Sequence, residues 1–272
     1  MQPMIHIALT AARKAGQQIL QASERLDRIE VEEKGKNDFV SDVDRRAEEE
    51  IVYHILKAHP DHAIQGEEGG FRAGSKGDSD YLWIIDPLDG TTNFLRGIPH
   101  YAISIACKYR GTLEHGLIYD PVRDEAFSAS RGRGAKLNDY RIRVSKRPGL
   151  DGALVGTGIP FRSHQRDQLP AYCQTLEAIA AETAGVRRAG AAALDLAYVA
   201  AGRLDAFWER GLSEWDIAAG ALLVQEAGGL VSDFAGGNRY LDSGDIVAGN
   251  PKCFKAVLKT VNRLMPPVVE TD

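Results

Sequence analysis

Three cysteines in 272 residues, Cys107, Cys173 and Cys253, are too few and too scattered for a disulfide framework or a thiolate zinc site, and none belongs to a CxxC pair. That scarcity points to a reducing compartment. Positive charge is in short supply as well: 33 Lys plus Arg face 38 Asp plus Glu, a formal net charge of −5. No global field therefore draws in nucleic acid or an anionic membrane, and an anionic ligand needs local help. No apolar run approaches the roughly 18 residues of a membrane span, and Arg13 and Lys14 interrupt the N-terminal stretch before it can act as a signal-peptide core. The expectation is a cytoplasmic protein with no membrane partner. Pro-rich or Ser-rich linkers, low-complexity tracts and repeats of roughly 20 to 50 residues are missing too, which favours one continuous unit over 1–272.

Several catalytic signatures are also lacking. The seven histidines form no HExxH or three-histidine spacing, so a zinc hydrolase is disfavoured and no histidine is assigned a role. GTGIPF and RGRGAKL each carry GxG without the third glycine or the strand-to-helix context of a dinucleotide site, and no GxxxxGK[ST] loop occurs.

What is present reads as a soluble globular chain, with 44% hydrophobic and 26% charged residues. Ile5, Ala8, Ala12, Ala15 and Ile19 recur at helical spacing, and a second helix is expected from Ser41, with Asp44 as its capping-box partner, to Ala58 before Pro60. Short β-rich runs follow (AIQG, YLWIID, YAISIACKY, TLEHGLIYD, EAFSAS), spaced like a mostly antiparallel sheet, so residues to about 148 form an α-plus-sheet half. From about 149 to 265 the elements alternate: strand ALVGT, a helix from Leu169 to Thr183, a helix near ALDLAYVAAG, strand DAFWE, helix WDIAAGALLVQEAGG, strands LVSDF and DIVAG, and a final helix CFKAVLKTVNRL. Alternation of this kind predicts layered α/β packing, with PPVVETD as a loose tail.

The densest chemistry lies in YLWIIDPLDGTTNF, residues 81–94, where a buried-looking strand ends in two aspartates, a proline, a glycine and two threonines. Carboxylates followed by free helix N–H groups suit a cation beside a phosphate. A capped turn, with Asp86 and Asp89 satisfying backbone donors, explains the same residues. Glu67 and Glu68 in GEEGG read either as a solvated turn or as one carboxylate facing a site, Asp216 in SEWDIAAG as an N-cap or a ligand, and Asp44 as a cap or a site residue. Carboxylates converging with oxygen-only chemistry are what magnesium takes.

The ordered series DFVSDVD (38–44), GEE (66–68), DPLDGTTNF (86–94) and WDIAAGALLVQEAGG (215–229) resembles the inositol monophosphatase family across roughly residues 5 to 262. The resemblance implies an α/β architecture, a five-layer αβαβα sandwich of the inositol monophosphatase and fructose-bisphosphatase type, generally dimeric, and a lithium-sensitive hydrolysis of inositol monophosphate with two or three Mg2+ ions. By the same resemblance, Glu67, Asp86, the Leu88 carbonyl, Asp89 and Asp216 hold metal. Thr91 orients the attacking water together with Glu67, and Asp44 bonds the threonine or a metal-bound water. Asp89, Gly90, Thr91, Gly190, Ala191, Ala192, Glu209 and Asp216 meet the substrate. Lys34 matches a family lysine across a one-residue gap. Ala191 stands where a hydroxyl residue is common, which predicts a wider range of sugar or nucleotide phosphomonoesters. A bacterial subgroup of the family is implicated in ribosomal RNA antitermination, so transcription machinery, meaning RNA polymerase and Nus factors, is a further candidate partner. The DAFWERG segment with Arg187 and Arg188 is the candidate surface for it.

Overall fold

A computed structural model describes residues 2–29, 31–35, 38–160 and 163–265, without side chains at 28, 31–35, 38–40, 163 and 164. The segment PPVVETD and the side chain of Lys34 therefore lie outside the described residues.

Helix α1 (Pro3–Ser23) buries the apolar stripe seen in the sequence, Ile5, Ala8, Ala12, Ala15 and Ile19 among them. A two-stranded hairpin, β1 (Val31–Gly35) and β2 (Asp38–Ser41), leads into α2 (Asp42–Ala58). Ser41 caps α2 and Asp44 closes the capping box, as expected. Strands β3 (Ala63–Gly66), β4 (Gly70–Arg72) and β5 (Tyr81–Asp89) come next, with a five-residue helix α3 (Thr91–Leu95) after β5. Then follow β6 (Ala102–Tyr109), β7 (Thr112–Asp120), β8 (Glu125–Ser130), β9 (Ala135–Leu137) and β10 (Tyr140–Arg141). They form an eight-stranded sheet in the order β10-β9-β8-β7-β6-β5-β3-β4, antiparallel except where β3 runs parallel to β5.

The remainder alternates. Its elements are β11 (Leu154–Thr157), α4 (Leu169–Ala180), β12 (Gly185–Arg187), α5 (Ala192–Ala200), β13 (Ala206–Glu209), α6 (Glu214–Glu226), β14 (Leu230–Ser232), α7 (Tyr240–Ser243), β15 (Ile246–Gly249) and α8 (Pro251–Leu264). The strands build a mixed five-stranded sheet, β12-β11-β13-β15-β14. Helix α4 ends at Ala180 rather than at Thr183. The Thr183 N–H bends back to the Ala180 carbonyl at 3.4 Å, and the next amide, Ala184, is claimed by the Ala153 carbonyl at the sheet at 2.9 Å.

Three buried clusters define five layers. One joins α1 and α2 to the outer face of the large sheet, through Ile51, Trp83, Ile105 and Leu117. The second fills the middle, where α5 and α6 lie between the two sheets, and the third packs α4 and α8 on the far face of the small sheet around Trp208 and Phe234. The middle layer is tight because small residues let backbones approach. A Cβ on Gly220 of α6 would stand 2.5 Å from the Leu196 Cβ of α5, and one on Gly116 of β7 would stand 2.9 Å from the Ala219 carbonyl. Phe207 and Trp208 are fully buried in that architecture. The DAFWERG segment is therefore sheet interior, not an exposed docking patch, because both faces of β13 are covered by helices.

Candidate active site

Strand β5 carries two of the acids, and a bulge aims them. Asp86 pairs with Ser104 of β6 and Asp89 with Ala102, so three steps on β5 oppose two on its neighbour. The extra residue falls at Pro87–Leu88, where proline has no N–H to give the ladder. Asp86 Oδ1 accepts the Leu88 N–H at 2.9 Å, which is the capped-turn reading realised; the Leu88 carbonyl, Asp86 and Asp89 nonetheless all line one cleft. Gly90 then turns the chain into α3 at φ +93°, a region disfavoured for residues with a Cβ. A Cβ there would also meet the His100 carbonyl at 3.0 Å.

The other acids arrive on separate elements. Glu67 follows directly on β3, its N–H bonded to the Ile85 carbonyl of β5 at 3.1 Å. Asp216 is the third residue of α6, not its N-cap: Ser213 caps, and Asp216 accepts the Ser213 N–H at 2.7 Å. Asp89 Oδ2 accepts the Ala193 N–H in the first turn of α5 at 2.7 Å, while Ser104 Oγ donates to the Trp215 carbonyl at 2.9 Å. The large sheet is thus tied to the starts of both middle helices around the cleft. Asp44 stands behind it, buried, with Thr91 Oγ 2.9 Å from its Oδ1 and 3.0 Å from the Leu88 carbonyl. Having one proton, the hydroxyl donates to one acceptor at a time.

The cleft has a volume of about 460 Å3, and Glu67, Asp86, Leu88, Asp89, Gly90, Thr91 and Asp216 line it. Gly190, Ala191, Ala192 and Glu209 line it as well. Of the expected site residues with described side chains, Asp44 alone does not line it. Sequence reasoning missed Asn93, whose side-chain amide donates to the carbonyls of His100 and Ala189 at 2.8 and 2.9 Å and so anchors the loop before α5 to α3. Arg188, read from the sequence as part of a docking surface, also lines the cleft, as do Arg96 and Arg210, although the Arg210 guanidinium itself is held by Asp245 and the Met265 carbonyl. An asparagine inside a motif already read for its aspartates carries no signal of its own.

Electrostatics set the demand on this site. Burial pushes the Asp86 carboxyl well above the usual carboxylate range, and the neighbouring Glu67, Asp89 and Asp216 push it further. Asp89 is raised in the same way, by burial first and Asp216 next. Asp44 is raised by burial, against hydrogen bonds from Ser41 and Thr91 that lower it. Four carboxylates that repel one another in a desolvated cleft, with an adjacent carbonyl, form the hard oxygen donor set that suits Mg2+. Among the described residues, no three His, Cys, Asp or Glu side chains already surround one ion-sized point.

Comparison with known proteins establishes the family and the fold. The sequence matches the inositol monophosphatase family over residues 1–265, and the chain belongs to that family. It is 64% identical over 267 residues to the Nus factor SuhB of Pseudomonas aeruginosa, covering 98% of each chain. Among solved structures, the extragenic suppressor protein suhB of Bartonella henselae superposes with a TM-score of 0.92 at 42% identity, over 96% of this chain and 99% of that one. An IMPase from Thermotoga maritima superposes with a TM-score of 0.86 at 35% identity, over 97% and 98%. The layered α/β fold is that of these proteins, and the family to which the chain belongs is one of phosphatases that are generally metal-dependent.

Proposed function

We propose that the cleft hydrolyses phosphate monoesters, inositol monophosphate foremost, with two or three Mg2+ ions and a water as nucleophile. The observation that carries the reading is Asp86: 1% exposed and raised by burial and then by three facing carboxylates, it sits where a bound cation relieves the repulsion with the carboxylates ionised. Glu67, Asp86, the Leu88 carbonyl, Asp89 and Asp216 would hold the metal. Bound magnesium would supply Lewis-acid polarisation of the phosphoryl oxygens and acidify a water.

The chain's own groups do the rest. Thr91 Oγ, buttressed by Asp44 and the Leu88 carbonyl, is placed to accept a hydrogen bond from the attacking water while its own proton points at one of those acceptors. Glu67 orients the same water from the end of β3. Amides of Gly90 and Thr91 face the phosphate, and Gly190, Ala191, Ala192 and Glu209 face the alcohol. Ala191 offers no hydroxyl to the sugar ring, so other sugar and nucleotide monoesters are accepted as well. A single turnover in heavy-oxygen water should place the label in the released phosphate, and magnesium chelation should abolish the reaction. Unlabelled phosphate from the first turnover would instead indicate a phosphoenzyme.

A second reading rests on the relatives named Nus factor SuhB. In it the chain, as a homodimer, also assembles with transcription machinery through a surface independent of the metal acids. An Asp89→Asn variant that restores ribosomal RNA synthesis in a strain lacking the protein supports this reading, and one that fails to restore it leaves the phosphatase as the whole function.

A further inference from the structure

Helix α2 presents a second buried acid one turn beyond Asp44. Glu48 is 6% exposed and points at the loop that joins β3 to β4. Its Oε2 accepts the Glu68 N–H at 2.9 Å and its Oε1 the Gly69 N–H at 2.7 Å. The two oxygens of one carboxylate thereby accept from consecutive amides. The preceding amide, Glu67 N–H, is fixed by the Ile85 carbonyl, so three successive N–H groups of this loop have set acceptors. The loop is also hollowed for the carboxylate: a Cβ on Gly66 would lie 2.5 Å from Glu48 Oε1 and Oε2, and one on Gly69 would lie 2.7 Å from Oε1. GEEGG thus has glycines where Glu48 enters and glutamate where the cleft begins.

We propose that Glu48 is a positioning residue that clamps the 66–69 loop and so sets where the Glu67 carboxylate stands in the cleft. The inference rests on the metal-dependent reading for its consequence, not for its geometry. Residues four apart on a helix share a face, so α2 supports the cleft at two points, Asp44 beneath Thr91 and Glu48 beneath Glu67. A charged acceptor holding two amides contributes more than a neutral one, and groups that orient a metal-binding side chain change affinity by about 10- to 100-fold when lost.

The test compares Glu48→Gln with Gly66→Ala. The glutamine keeps the volume but turns an NH2 toward one of the two amides, and the alanine pushes the carboxylate out without altering any acid. In both variants, amide exchange at Glu68 and Gly69 should accelerate at least about tenfold, and the calorimetric magnesium dissociation constant should rise about tenfold. The KM for inositol 1-phosphate at saturating magnesium should stay within about twofold of wild type, a separation that general loosening of the fold would not produce. Where either variant fails to fold, Gly69→Ala, which crowds one carboxylate oxygen, takes its place. Unchanged exchange at the two amides overturns the clamp, and accelerated exchange with unchanged magnesium affinity overturns its role in placing Glu67. A wild-type protein that binds no magnesium overturns the proposed function instead, and the exchange comparison still decides the clamp.

Discussion

Asp89 joins two demands in one side chain: it faces the cleft acids, and it accepts the Ala193 N–H that starts α5. Asparagine keeps the acceptor and removes the charge. In Asp89→Asn, turnover should fall at least about a hundredfold. The Tm of the metal-free protein should hold or rise, because an unfavourable buried charge is gone. The gain in Tm on adding magnesium should shrink, and a variant stabilised by magnesium as much as wild type would remove Asp89 from the metal set. Thr91 gives a second test at this scale. Thr91→Val preserves shape but leaves Asp44 without one hydrogen-bond partner, a cost of about 1–3 kcal/mol in a melting measurement. Thr91→Ser should keep both the stability and most of the rate, and a valine variant with wild-type turnover would exclude the hydroxyl from water placement.

The elements differ in how openly the sequence shows them. Ser41 with Asp44 and Ser213 with Asp216 are capping boxes, a local pattern at fixed spacing; it made α2 legible at its start, whereas at α6 Asp216 reads as the N-cap itself and hides Ser213. The β5 bulge is not legible either, since it depends on β6 supplying two residues against three, and nothing within DPLD reports its partner. β4, β9, β10 and β12 are two or three residues long, too short for a period, and exist because a longer neighbour offers a free edge. The site acids were legible as a family series, whereas Glu48 and Asn93 act through backbone groups distant in sequence and show only in three dimensions. Helix α6 supplies a further test. Gly220→Ala would ordinarily favour a helix, but its methyl meets Leu196. Overpacking of this kind costs about 1–3 kcal/mol. At about 2–4 °C per kcal/mol for a domain approaching this size, the Tm should fall several degrees, and a Tm at or above wild type would contradict the close packing of α5 on α6.

Across the molecule, the raised carboxyls set a pH dependence. Asp86, Asp89 and Asp195 all sit well above the ordinary range, for Asp195 because of burial and then Glu209. A carboxyl whose folded pKa exceeds its unfolded value of about 4 binds its proton more tightly when folded. Its contribution is therefore present below about pH 4 and is lost as pH rises toward the folded value. In metal-free buffer, Asp86→Asn should gain Tm relative to wild type as the pH climbs from about 4.5 to 8, and excess magnesium should close or reverse that gap. A pH-independent difference would mean that the cleft acids do not strain one another.

The middle layer has a consequence for synthesis. Residues Ile217 to Val224 of α6 are buried without interruption, because one sheet covers each side of the helix. On the ribosome, α6 is finished before β15, which lies second from the edge of the small sheet and pairs directly with β13, and before α8, which covers that sheet's outer face. A nascent chain ending near residue 226 therefore carries a helix apolar on every side with only the first sheet complete. Such an intermediate is a natural client for a chaperone, and its period of exposure lasts as long as the stretch from there to the end of α8 at Leu264 takes to emerge.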